Sequence, residues 1–271
     1  MKKLSFLAAA LLVTGAAFAQ GNTQALSQTG SGNGATVSQM GSTSSAVGTQ
    51  TGNSNSLSQT QASGAMNSAA VGQLGNSNSA LQDQRDGDRN VASSTQVGNS
   101  NSTIQKQHTA GGFGAADERA TIVQIGNSNI GTQDQGGVEN VATITSIGNS
   151  NQAFQTQGDN PAGSYRSTAS IYQVGGSNIA RQDQKRDNHS ATIEQNGSSN
   201  IAVQEQDAFG FFITPGNTAY IDQDDAGSHY ARQRQIGSGN LAATYQGTSG
   251  NSSDVSQSGS NNQSLVKQNH P

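Results

Sequence analysis

The chain has 271 residues, of which 31% are hydrophobic, 4% aromatic and 11% charged, with no cysteine and no tryptophan. That is too little apolar material for an ordinary globular core of this length, and a formal net charge of −4 argues against nucleic acid as a partner. The missing cysteines exclude a disulfide framework and a thiolate metal site together, so order in so polar a chain has to come from a repeating pattern.

Lys2 and Lys3 precede an apolar run from Leu4 to Val13 and the small-residue stretch Ala17-Phe18-Ala19, the signature of a secretory signal peptide cleaved after Ala19. Residues 1–19 are therefore expected to be lost on export, which leaves a net charge of about −6. Residues 20–27 form a short leader. The apolar run is shorter than the roughly 20 residues a membrane-spanning helix needs, and no later segment approaches that length, so no transmembrane segment is expected. The mature chain is expected to leave the membrane entirely.

From Gln28 to Gln268 the glutamines fall into a register whose commonest interval is 11 residues, with Ser146 standing once in place of Gln. Many intervals read Q-x-G-x-x-N-x5-Q, as in Gln73, Gly75, Asn78, Gln84 and in Gln96, Gly98, Asn101, Gln107. Each N-x5-Q reads as a strand in which alternate residues share a face. The face that carries Asn and Gln then carries Ala and Gln in one set of strands, as in Ala80 and Gln82 or Ala180 and Gln182. In the intervening set it carries Ala and Ile, as in Ala120 and Ile122 or Ala191 and Ile193. The true repeat is thus 22 residues with two unlike strands.

Strand, turn, strand and turn bring the chain back above its start, which is one rung of an all-β solenoid. The twenty glutamine intervals give about ten rungs, a stack roughly 48 Å tall at the usual strand spacing. Gly and Asn suit the turns because both tolerate positive φ; the turn glycines are Gly75, Gly98, Gly126, Gly148, Gly175, Gly197, Gly237 and Gly259. The inward amides are expected to hydrogen-bond to their copies above and below, as in cross-β ladders. The candidate self-assembly residues are these amides: Gln73, Asn78, Gln82, Gln84, Gln96, Asn101, Gln105, Gln107, Gln124, Asn129, Gln133, Gln135, Gln173, Asn178, Gln182, Gln184, Gln195, Asn200, Gln204 and Gln206.

Three intervals are longer, and their insertions at 108–117, 158–166 and 207–216 each follow an Ala-Gln strand and precede an Ala-Ile strand. They are expected on one edge of the solenoid, while the opposite edge keeps its tight Gly-Asn turns. Residues 269–271 form a tail.

No nucleophile, base and orienting acid can be assembled from the pattern, so neither an enzyme nor a cofactor is expected. His189 and His229 occupy the position usually held by Asn, a structural place, while His108 and His270 fall in an insertion and the tail. Gly111-Gly112-Phe113-Gly114-Ala115-Ala116-Asp117 has the flavour of a calcium-binding nonapeptide but occurs once, with its Asp displaced. Asp83, Lys106, Asp134, Arg181, Asp183 and Glu205 fall on the outer face, where they read either as gatekeepers against premature pairing or as plain solubilising charge.

The residues resemble the curlin repeat of curli fibre subunits, Q-x-G-x-x-N-x-A-x3-Q, which Gln173, Gly175, Asn178, Ala180 and Gln184 match in full, as do Gln195, Gly197, Asn200, Ala202 and Gln206. The chain departs from familiar curlins in having more repeats, edge insertions and a shorter leader. The resemblance implies a functional amyloid of the biofilm matrix that polymerises with itself. It also implies an outer-membrane export pore and a nucleator subunit as partners, at the surface of a Gram-negative bacterium. Alternatives of the same fold are a surface nucleator, or a monomeric solenoid adhesin or ice-binding protein. Against ice binding stand the mixed outward triplets, such as Ser79, Leu81 and Asp83.

Overall fold

The structure, a computed structural model, describes residues 21–108, 117–158, 164–208, 215–225, 227–248 and 250–270. The expected signal peptide and the central parts of the three insertions, including all of the calcium-like segment but Asp117, lie outside the described residues.

The 22-residue alternation folds into two facing parallel sheets. One sheet carries the Ala-Ile strands: β1 (Thr23–Thr29), β3 (Ser45–Thr51), β5 (Ser68–Leu74), β7 (Val91–Val97), β9 (Arg119–Asn127), β11 (Val141–Asn149), β14 (Thr168–Gly176), β16 (Ser190–Ser198), β18 (Thr218–Gln223), β20 (Leu241–Gln246) and β22 (Gln263–Gln268). The other carries the Ala-Gln strands: β2 (Gly34–Gln39), β4 (Ser56–Ala62), β6 (Ser79–Arg85), β8 (Ser102–His108), β10 (Ile130–Val138), β12 (Gln152–Gln157), β15 (Ile179–Lys185), β17 (Ile201–Asp207), β19 (Tyr230–Ser238) and β21 (Ser252–Ser260). A two-residue strand, β13 (Ser164–Tyr165), pairs beside β10. Successive strands alternate between the sheets, so the chain makes about ten turns of a β-solenoid, and no helix occurs among the described residues. None there is long and apolar enough to cross a membrane.

Register follows the sequence repeat residue for residue: Ala142, Ile144 and Ser146 of β11 lie beside Ala169, Ile171 and Gln173 of β14, and Ala180, Gln182 and Gln184 beside Ala202, Gln204 and Gln206. A one-residue slip would turn every inward side chain outward, so the alternation itself locks the pairing. Ile122, Ile144, Ile171, Ile193 and Ile221 stack against Ala153, Ala180, Ala202 and Ala231 of the facing sheet. A smaller cluster of Ala35, Leu57, Val71 and Ala80, with Leu26 against it, fills the N-terminal rungs. Between the two clusters the core turns polar, where Ser94 and Thr103 share a 2.8 Å hydrogen bond across the sheets.

Three expectations need correction. The first strand opens at Thr23, inside the segment set apart as a leader; Asn22 and Gln28 already have the N-x5-Q spacing. In the Gly-x-Ser-Asn turns the residues with positive φ are Gly and the Ser before Asn, as at Gly75 (121°) and Ser77 (57°), whereas Asn78 is outside that region and buried. Gly75, Gly98, Gly126, Gly148, Gly175 and Gly197 follow Ala-Ile strands and stack on one edge, but Gly237 and Gly259 follow Ala-Gln strands and sit on the opposite one. That second edge is the one from which all three insertions leave, after β8, β12 and β17.

Candidate functional site: the amide ladders

The site is the interior itself. In the Ala-Gln sheet, the glutamines one turn apart are joined in a continuous column from Gln39 through Gln61, Gln84, Gln107, Gln135, Gln157, Gln184, Gln206 and Gln235 to Gln257. A second column runs from Gln59 through Gln82, Gln105, Gln133, Gln155, Gln182 and Gln204 to Gln233. Every link points the same way: the Nε2 of one rung donates to the Oε1 of the next. The second N–H of each amide crosses to the facing sheet, as from Gln82 to the Ala70 carbonyl and from Gln84 to the Ser68 carbonyl. One side chain thus ties neighbouring rungs and both sheets together. Reading the repeat as a stack misses this crossing bond, because it depends on how the second strand is set behind the first.

In the Ala-Ile sheet one run goes from Gln28 through Gln50, Gln73 and Gln96 to Gln124, and another from Gln173 through Gln195, Gln223 and Gln246 to Gln268. Ser146 divides them, donating upward to Gln173 but too short to reach down. The asparagines Asn78, Asn101, Asn129, Asn151, Asn178 and Asn200, which precede the Ala-Gln strands, form a further buried column, in which each Oδ1 accepts the backbone N–H of the residue one turn later. The Nδ2 groups of Asn78, Asn101, Asn129 and Asn178 reach the turn glycine of the next rung, as from Asn78 to the Gly98 carbonyl, and that of Asn200 reaches the Asp225 carbonyl. A Cβ at Gly75, Gly98, Gly126, Gly148 or Gly175 would collide with the backbone carbonyl of the glycine stacked on it, so glycine is required there by close stacking as well as by φ.

Two titratable residue types occupy the asparagine columns. His189 is buried; its Nδ1 accepts the Asn217 N–H and its Nε2 donates to the Lys185 carbonyl, which fixes the neutral tautomer. Burial pushes its pKa down to about 4. His229 is held in the same way between the Asn251 N–H and the Asp224 carbonyl. Glu118 takes the Asn place before β9, in the same column as His189, fully buried, with one oxygen accepting from Asn140 and the other without a partner among the described residues. Burial raises its pKa well above the ordinary carboxylate value. Its spacing to Gln124 is the N-x5-Q spacing, a signal that sequence reading passed over.

The outer charges form rows across the rungs: Asp83, Lys106 and Asp134 are in-register neighbours of alternating sign. Arg85 lies 2.6 Å from Asp83, and His108 3.1 Å from Asp134, whose carboxylate raises the His108 pKa through that hydrogen bond. At the C-terminal end Asp222, Asp224 and His270 place one donor atom each within 4.8 Å of one another. Burial first, and Asp224 second, raise the Asp222 pKa, and His270 Nε2 lies 3.2 Å from Asp224 and 3.5 Å from Asp222. Three such ligands suit a borderline divalent cation in kind, but here the imidazole and carboxylates already serve one another.

No family model matches the sequence, and no curated protein resembles it significantly. What the geometry shows is an all-parallel β-solenoid with buried Gln and Asn ladders, consistent with a curli-like fold and compatible with a self-assembling amyloid-like structural subunit.

Proposed function

We propose that the chain is a self-assembling structural subunit of an extracellular, curli-like amyloid fibre, contributing adhesion and aggregation to a biofilm matrix. The observation that carries this reading is the state of the two end rungs. Inward positions are buried throughout the interior, yet those of β22 are half-buried and those of β1 half-buried or, at Gln24, exposed, and no described strand pairs with their outer edges. An edge of parallel backbone is a template for another strand, and the amide columns that run out to these rungs offer a further copy the same donors and acceptors they offer one another. The partners in this reading are further copies of the chain, a nucleator and an outer-membrane export pore. The proposal assigns the chain no catalytic role.

The test uses the chain without residues 1–19. Incubated at neutral pH, it should form β-rich fibres by electron microscopy and thioflavin fluorescence after a lag that preformed seeds abolish. Their diffraction should show an axial reflection near 4.7 to 4.8 Å. Persistent monomer at high concentration would overturn the proposal.

A further inference from the structure

The two sheets do not end together. The Ala-Ile sheet has eleven strands from β1 to β22, while the Ala-Gln sheet has ten main strands from β2 to β21. The described solenoid therefore makes ten and a half turns, and a copy placed on it in the same orientation meets a mismatch: with the next β1 on β22, the next β2 stands two strand spacings from β21. A strand-wide gap would leave two rows of backbone groups unpaired inside the fibre.

Resting on the self-assembly reading above, we infer that successive copies dock head to tail with a half-turn about the fibre axis, so that the Ala-Ile sheet of one copy continues as the Ala-Gln sheet of the next. The incoming β1 then lies on β21 and the incoming β2 on β22. Facing sheets of a solenoid run in opposite directions, so the half-turn also keeps each new pair parallel. No gap remains.

Three features of the end rungs fit this junction. First, the residue types match. Gln28 and Leu26 come to lie on Gln257 and Val255, and Gln39 and Val37 on Gln268 and Val266. Inside the solenoid the third inward position distinguishes the sheets, Gln in one and aliphatic in most of the other. In the end strands it is aliphatic in both, so the rungs that must exchange sheets are the ones that have lost the distinction. The glutamine column stops accordingly at Gln59, whose Oε1 has no partner above Val37, and at Gln233, which donates instead to Thr244.

Second, the turns match. Near the C-terminal end the tight glycine turn changes edge, to Gly237 and Gly259. Gly259 has φ 108° and, unlike the glycines beneath it, no backbone carbonyl stacked close upon it. After a half-turn the incoming Gly30, with φ 112°, stacks there, in the shared frame Gln28-x-Gly30-x-x-Asn33 on Gln257-x-Gly259-x-x-Asn262. Third, the amide columns are polar in direction. Gln257 and Gln268 end them with Nε2 donors and Gln28 and Gln39 begin them with Oε1 acceptors, so like ends cannot meet.

The chain has no cysteine, which allows a direct test by cross-linking fibres of double variants. Ser27 and Ser256 are outward and exposed, as is Lys267. The half-turn sets Ser27 of one copy beside Ser256 of the next, at the strand spacing of about 4.8 Å that a disulfide spans. The unrotated junction sets Ser27 beside Lys267. Within one copy both pairs are at opposite ends, so any disulfide is intermolecular. Oxidised fibres of Ser27→Cys with Ser256→Cys should yield covalent multimers on a denaturing gel, and Ser27→Cys with Lys267→Cys should not. The reverse result, or cross-linking of neither pair in fibres that form normally, overturns the half-turn while leaving the fibre reading intact. Failure of the wild-type chain to form fibres overturns both. A cysteine-free readout is the helical symmetry of wild-type fibres: a rise of roughly 50 Å per copy, with insertion-bearing edges alternating from side to side. Insertions all on one side would refute the junction even if the variants misfold.

Discussion

The substitution Gln182→Glu isolates the ladder from every other source of stability. The Gln182 side chain is 1% exposed and accepts from Gln155 at 2.9 Å, while its Nε2 donates to Gln204 and to the Ser170 carbonyl, both at 2.9 Å. An ionised carboxylate in its place keeps the first bond and turns the other two into contacts between acceptors. At about 1–3 kcal/mol for each buried group left unpaired, the cost is about 2–6 kcal/mol before any charge burial is counted. At 1.4 kcal/mol per tenfold, the soluble chain left in equilibrium with fibre should rise roughly 30-fold to 10⁴-fold. The neighbouring Arg181→Ser is the control: the Arg181 side chain is 62% exposed, and its ion pair with Asp183 is long at 3.9 Å. Such a change should stay within about 0.5 kcal/mol. Burial raises the pKa of the introduced carboxyl above its unfolded value, so the destabilisation present at neutral pH is relieved as pH falls through the folded pKa. Sedimentation followed by assay of the supernatant at pH 7 and pH 5 reads both effects. Equal supernatant concentrations for the two variants at pH 7 would refute the ladder argument.

The buried histidine and glutamate give pH dependences of opposite sign. His189 has a folded pKa of about 4 against an ordinary 6.5, so its neutral form is compatible with folding above pH 6.5 and stability is lost as pH falls toward 4, on the order of 3 kcal/mol; His189→Asn should flatten that part of the guanidinium midpoint against pH. Glu118 has a raised folded pKa, so stability is lost as pH rises through it, and Glu118→Gln should resist denaturant better than wild type at neutral and alkaline pH, with little difference in acid. Gly148→Ala meets both a φ of 118° and the Gly175 carbonyl and should cost more than about 2 kcal/mol, whereas Gly176→Ala, at ordinary φ with 3.6 Å of room, should be near neutral by the same measurement.

The fold was legible because the repeat does two jobs with one alternation. Spacing of Asn and Gln sets strand length, and the exchange of Gln for Ile at the third inward position separates the sheets, so register needs no further information. The turns were less legible. The pattern suggests positive φ at Asn, but Ser77 and its equivalents take it, since Asn78 is needed inside to hold the next rung's backbone. Glu118 escapes notice because a carboxylate reads as surface, and only its spacing to Gln124 betrays the burial. The crossing bond from Gln82 to the Ala70 carbonyl belongs to the distance between sheets, which no one-dimensional pattern encodes.

Stacking identical rungs has an electrostatic consequence that explains where charge is absent. A charge repeated at one position would face its copy at about 4.8 Å, a repulsion of roughly 1 kcal/mol even in water and more beside a protein surface. One interior row avoids this by alternating sign, in Asp83, Lys106 and Asp134. Like charges abut at Asp183 and Glu205, where arginines stand close by, Arg181 on one side and Arg232 and Arg234 on the other, and at Glu194 and Asp222, where His270 lies 3.5 Å from the Asp222 carboxylate. A junction between copies has no such freedom, because whatever one end presents meets the other end of the same sequence. From Gly21 to Gln82 there is not one charged residue. The N-terminal face can therefore receive Asp254 and Lys267 of the opposite end without repulsion, and by the half-turn they settle beside Ala25 and Ser38. Charge guards the middle of the solenoid against sideways pairing, and its absence at one end leaves the axial direction open.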